Sequence, residues 1–416
     1  MRITLFVSLL SMFFPLLANA APATADAILQ NPLAMTITQT LVQPSIDGAT
    51  RGKVTVLPAR KQTPLLKEYS DLRFTYQLQK DKTAPLIFIL PGTGGLSESS
   101  ASRYMAEQLF NKGYQTVTVD DAFSWPFAIA ASQSGLPGYT PRDSADLYKA
   151  LQAISVRLKQ DKQIQPRSYS MAGYSLGGLE IMFMHRMDEQ QKYFNFNRVL
   201  LVDPPMDLMY AVKSLDSLYD VGQQLSPARQ DYVINRVIDV GQKYLAQHAD
   251  LSNPETMITA FNELGLDNND LSYLIGGSFR DSLRDVIFAS QQINDLKILK
   301  YPATRFHRNV RLDEARKFSF LQYMSTFLYP EIQKQKGKNY SFQAMNEETS
   351  FYQFGNYVKT HQNIFIVHTA DDFILKPGDI AWIQEKFGKR AVIFPHGGHC
   401  GAMNFPQFSD YLKTIF

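Results

Sequence analysis

The stretch SMAGYSLGGLE, Ser170 to Glu180, sets Ser175 between Gly173 and Gly177. A serine hydroxyl is a weak nucleophile. It attacks a carbonyl when a base takes its proton and a carboxylate orients that base. Groups of both kinds lie far downstream. VHTADDFILKPGD carries Asp371 and Asp372, FPHGGHCG carries His396 and His399, and RVLLVDPP carries a third carboxylate, Asp203. Serine, carboxylate and histidine together support acyl transfer through a covalent acyl-enzyme. The pattern G-x-S-x-G acquires that meaning only on a strand–turn–helix corner.

The surrounding sequence predicts such a corner. SYSMAG reads as a buried strand, YS as the turn, and LGGLEIMFMHRM as the helix that follows. Side chains at positions 173 and 177 would collide with the adjoining strand and helix, so glycine is required there. Further apolar runs read as strands: RFTYQLQ from Arg73, with the alternation of an edge or half-exposed strand, PLIFILP, YQTVTVD, RVLLVDPP, NIFIVHTA and RAVIFP. Amphipathic helices separate them, as in βαβ units with a mostly parallel central sheet, where ligands bind beyond the carboxyl ends of the strands. The alternation breaks between Met206 and Gln362. Capped helices fill that interval, one of them led by Ser226 and Pro227.

Strand–GYSLG–helix, preceded by ILPGTGG after an earlier buried strand, resembles the α/β-hydrolase fold family. The resemblance covers about residues 70 to 205 and 363 to 416, leaving the helical interval outside it. It implies an α/β hydrolase core, residues 21–205 and 363–416, with a helical cap insertion, residues 206–362. It implies Ser175 as nucleophile and His399, two glycines past the last strand, as base, with His396 as the alternative. The acid is Asp372 by motif register, with Asp371 and Asp203 as alternatives. The oxyanion hole would take one N–H from Leu176 and one from Thr93. Proline stands at position 91 where the family commonly has histidine, so the loop register around Thr93 departs from the usual pattern.

Bulk properties describe a folding globular protein rather than a disordered one. The 416-residue chain is 45% hydrophobic and 19% charged, with net charge +3, so nothing in it calls for a nucleic-acid partner. Its single cysteine, Cys400, rules out an internal disulfide framework and a cysteine metal cluster. No metal site or organic cofactor is expected. Residues 1–20 have the anatomy of a cleaved secretory signal: Arg2, an apolar run, then Ala18-Asn19-Ala20. The expected product is a periplasmic or secreted protein without a membrane span. Its expected reaction is hydrolysis of an ester of a small-molecule or lipid-like acyl substrate. Amide or peptide hydrolysis on the same triad, or ligand binding without catalysis, are the alternatives. Oligomeric state is not written in the sequence.

Overall fold

The computed structural model describes residues 28–41, 48–61, 65–249 and 253–416. The signal segment expected at residues 1–20 lies outside these. Eight strands form one sheet: β1 (Thr50–Val54), β2 (Leu72–Gln77), β3 (Leu86–Leu90), β4 (Gln115–Val119), β5 (Tyr169–Tyr174), β6 (Arg198–Val202), β7 (Ile364–Thr369) and β8 (Ala391–Phe394). Their spatial order is β1-β2-β4-β3-β5-β6-β7-β8. β2 runs antiparallel to β1 and β4, and every other pairing is parallel. This strand order, with its one reversed strand beside β4, is the α/β-hydrolase fold.

The sheet is buried because its central strands are apolar on both faces. In β3, Leu86, Phe88 and Leu90 enter one hydrophobic core while Ile87 and Ile89 enter the other. Helices Ser100–Phe110 and Pro406–Ile415 cover the second face through Met105, Leu109, Phe408 and Leu412. Helices Thr140–Lys162 and Leu176–Gln191 cover the first through Leu147, Leu151, Leu179 and Met182. Chain order reverses across β3, and in such sheets ligands bind at the carboxyl ends of the strands beside that reversal.

Among the described residues no strand occurs between Val202 and Ile364. The interval is helical, led by Leu208–Gln223, Pro227–Ala246, Pro254–Leu264 and Asn268–Ile293. Capping residues start these helices: Ser226 accepts the Arg229 N–H, Asn253 accepts from Glu255 and Thr256, and Asp267 forms a reciprocal box with Asp270. Helices Leu208–Gln223 and Asn268–Ile293 approach backbone to backbone. A Cβ on Gly276 would lie 2.3 Å from Tyr219 N, and one on Gly222 would lie 2.6 Å from Tyr273 Cα. Among the described residues no helix is long and apolar enough to cross a membrane.

Two features depart from expectation. β2 was expected as an edge or half-exposed strand, yet it is second from the edge and mostly buried, because β1 pairs along it. Helix Pro32–Leu41 precedes the sheet and packs on the loop that carries His399.

Candidate active site

Every candidate side chain stands just past the carboxyl end of a sheet strand. Ser175 follows β5, Asp203 follows β6, Asp371 and Asp372 follow β7, and His396 and His399 follow β8. Ser175 has φ +53° and ψ −127°, a left-handed conformation that strains a residue with a side chain. The glycines around it make the corner possible. A Cβ on Gly177 would lie 2.3 Å from Pro91 O, and one on Gly173 would lie 2.7 Å from Ile181 Cδ1. Ser175 N–H is anchored to Val202 O at 2.8 Å, which ties the corner to the neighbouring strand end.

The structure brings Ser175, His399 and Asp372 into one hydrogen-bonded chain. Ser175 Oγ lies 2.8 Å from His399 Nε2, and His399 Nδ1 lies 2.8 Å from Asp372 Oδ2. The carboxylate accepts only, so Nδ1 carries the ring proton and Nε2 faces the serine with its lone pair. All three residues are buried. Burial works against a charged His399, but the ion pair and hydrogen bond to Asp372, with Asp203 beyond, outweigh it and hold its pKa above the ordinary value. Burial likewise opposes the Asp372 carboxylate, and His399 overcomes it, keeping that carboxyl below its ordinary value.

The alternatives occupy other posts. Asp371 accepts the Gly397 and Gly398 N–H groups at 3.3 and 2.9 Å and so fixes the glycine turn before His399. His396 lies 3.5 Å from that same carboxylate with its side chain half exposed. Asp203 accepts the Thr369 N–H at 2.9 Å and the Cys400 N–H at 3.1 Å, joining the β6, β7 and β8 loops.

The loop after β3 lies directly over the serine. A Cβ on Gly92 would meet Ser175 Cβ at 2.6 Å. Gly95 N–H closes a turn on Gly92 O at 2.7 Å, and Gly94 N–H bonds Asp121 Oδ1 at 3.1 Å. Among the described residues the Thr93 N–H is bonded to no acceptor, nor is that of Leu176, the first residue of the helix Leu176–Gln191. Free amides beside a helix N-terminus suit a developing oxyanion.

Three contributors are not legible as site residues in the sequence. Asp121 supports the β3 loop from below, beside the fully buried Glu180, and burial raises both carboxyls well above their ordinary values. Thr36 accepts the His399 N–H at 2.9 Å from helix Pro32–Leu41. His368, fully buried, lies between Asp203 and Asp372. Asp203, His368 and Asp372 bring side-chain N and O atoms within 4.8 Å of one another. These groups pair among themselves and with His399, at 3.0 Å for His368–Asp203, 3.9 Å for His368–Asp372 and 2.8 Å for His399–Asp372.

No family model and no curated protein matches the chain. Solved structures that it resembles include a fungal esterase of Rhizomucor miehei, at 11% identity over 94% of this chain and 89% of that one, with a TM-score of 0.43. Est1E from Butyrivibrio proteoclasticus is similar at 12% identity over 83% and 93%, TM-score 0.40. The acylaminoacyl peptidase of Pyrococcus horikoshii is similar at 11% identity over 88% of this chain, TM-score 0.40, and the chain spans 41% of that protein's length. The strand order defines the fold, and the chemistry of the site bears on the reaction.

Proposed function

We propose that the chain is an exported serine hydrolase that cleaves an acyl ester. The observation that supports this reading above all is the unbroken chain Ser175 Oγ–His399 Nε2 and His399 Nδ1–Asp372 Oδ2. As Ser175 Oγ forms its bond to the acyl carbon, its proton passes to His399 Nε2. Asp372 holds the imidazole orientation and balances the imidazolium that results. The carbonyl oxygen becomes an oxyanion and takes hydrogen bonds from the Thr93 and Leu176 amides. On collapse the ester C–O bond breaks, and the departing alkoxide takes the proton from His399. Water then attacks the acyl-enzyme with the same imidazole as base, releasing the acid and restoring Ser175.

Phe373 supports an apolar substrate, since its ring centroid lies 5.7 Å from that of His399. The helical insertion reaches the same place: a Cβ on Gly94 would lie 2.5 Å from Ser282 Oγ of helix Asn268–Ile293. The test is labelling of the purified protein with a fluorophosphonate, followed by turnover of matched acyl esters and acyl amides. Labelling lost in Ser175→Ala and faster turnover of esters are expected. Equal labelling of the variant would remove the nucleophile assignment, and preference for the amides would replace the ester reading by an amidase.

A further inference from the structure

His368 is the last but one residue of β7 and is completely buried. Its ring is surrounded by acceptors. Nε2 lies 3.2 Å from the Pro204 carbonyl oxygen, which can only accept. Nδ1 lies 3.0 Å from Asp203 Oδ1 and 3.3 Å from Thr369 O. The donor beside Nδ1 is the Thr369 N–H at 3.1 Å, and that group also reaches Asp203 Oδ1 at 2.9 Å. A neutral ring would therefore point a lone pair at a carboxylate or at a carbonyl oxygen. Protons on both nitrogens remove both conflicts.

The same Nδ1 lies 3.9 Å from Asp372 Oδ2, the oxygen that binds His399 Nδ1 at 2.8 Å. Two imidazoles thus flank one carboxylate oxygen. The titratable groups around this point are Asp203 from the β6 loop, Asp372 from the β7 loop, and His399 and Cys400 from the β8 loop. Burial holds the Cys400 thiol neutral by pushing its pKa well up. With His399 neutral, two carboxylates face one imidazolium.

We propose that His368 is a positioning residue held as an imidazolium between Asp203 and Asp372, and that its charge lowers the basicity of His399. Without that charge, both carboxylates would act on His399 unopposed and would bind a proton there more tightly. At neutral pH a larger fraction of the base would then be protonated and unable to accept the Ser175 proton. Burial opposes the charge on His368, but Asp203 chiefly, with Asp372 and Pro204 O, brings its pKa up to about 9. The catalytic consequence rests on the serine-hydrolase reading, whereas the charge state stands independently of it.

The experiment has two arms. Long-range ¹H–¹⁵N spectra of the isotope-labelled wild-type protein report the ring state, with the His368 signal assigned through its connectivity to the sequentially assigned His368 backbone. A doubly protonated ring at pH 7 is expected, and a neutral single tautomer would overturn the proposal even if the variant does not fold. In folded His368→Gln, the His399 titration midpoint should rise by about one pH unit, roughly a tenfold gain in proton affinity. The acid limb of fluorophosphonate labelling should move with it while the alkaline plateau is retained. A uniform loss at all pH values with an unmoved midpoint would reduce His368 to a packing role. Wild-type protein that never labels would instead sink the serine-hydrolase reading and leave the spectra to decide His368.

Discussion

Thr36 Oγ1 accepts the backbone N–H of His399 at 2.9 Å, joining a helix before the sheet to the proposed base beyond its last strand. The Thr36 hydroxyl donates in turn to Pro32 O, so its lone pair is directed at the His399 amide. Replacing it by valine keeps the shape and removes the acceptor, leaving a buried N–H unpaired at a cost of about 1–3 kcal/mol. Thr36→Val should therefore lower kcat several-fold, and hydrogen exchange at residues 397–400 should accelerate. Unchanged exchange there would show that helix Pro32–Leu41 does not hold the loop.

The neighbouring carboxylates Asp371 and Asp372 should separate cleanly in kinetics. Asp372→Asn offers His399 the wrong hydrogen-bonding partner and should cost ~10⁴-fold in kcat with the fold intact, the scale seen when a triad acid loses its charge. Asp371→Asn keeps an acceptor for the Gly397 and Gly398 amides and should lose less than about tenfold. His396→Ala, half exposed and 3.5 Å from Asp371, should retain most turnover. Larger losses in Asp371→Asn than in Asp372→Asn would exchange the two assignments.

Backbone approach predicts opposite effects for two glycines. A Cβ at Gly177 would sit 2.3 Å from Pro91 O and 2.4 Å from Leu90 O, both rigid backbone atoms. Gly177→Ala should prevent folding or lower the thermal midpoint by at least a few °C, since overpacking against rigid backbone costs about 1–3 kcal/mol or more. A Cβ at Gly277, inside helix Asn268–Ile293, would meet nothing within 4 Å. Gly277→Ala should stabilise by roughly 0.5–1 kcal/mol through helix propensity. Thermal melts of the two variants check both signs.

The contrast between these residues also shows what a sequence can carry. Glycine at 173 and 177 around a serine, a β-branched run before it and an apolar helix after it are local signals, and they locate the corner. That the sheet is mostly parallel is legible from alternating strands and helices, whereas the order of its strands is set by tertiary packing. Strand β1, TRGKV, carries no such signal: it is mostly exposed, and its central Gly52 exists because a Cβ there would meet the Phe74 ring at 2.3 Å. Thr36 and His368 escape for a related reason. Each acts through a partner at a sequence distance set by tertiary packing, Thr36 on His399 and His368 on Asp203, so neither belongs to a motif. Asp371 and Asp372 differ in role only through which loop atoms each one faces.

The buried His368–Asp203 pair should appear in stability as well as in catalysis. Burial opposes charge on His368, yet Asp203 outweighs it and the folded pKa lies at about 9, above the unfolded value of about 6.5. A group whose pKa is raised by folding stabilises fully below its unfolded pKa and loses that contribution as pH rises through the folded one. The contribution is on the order of 3 kcal/mol below pH ~6.5 and falls by roughly 1.4 kcal/mol per pH unit up to about pH 9. Urea unfolding at pH 6, 7.5 and 9 should therefore show a steeper alkaline decline in the wild type than in His368→Gln. The two curves should converge toward pH 9, because His368 is then only half protonated in the folded wild type and most of its contribution is gone. Parallel curves across that window would mean that the folded protein does not bind the extra proton, and that the Asp203 carboxylate is balanced by something other than His368.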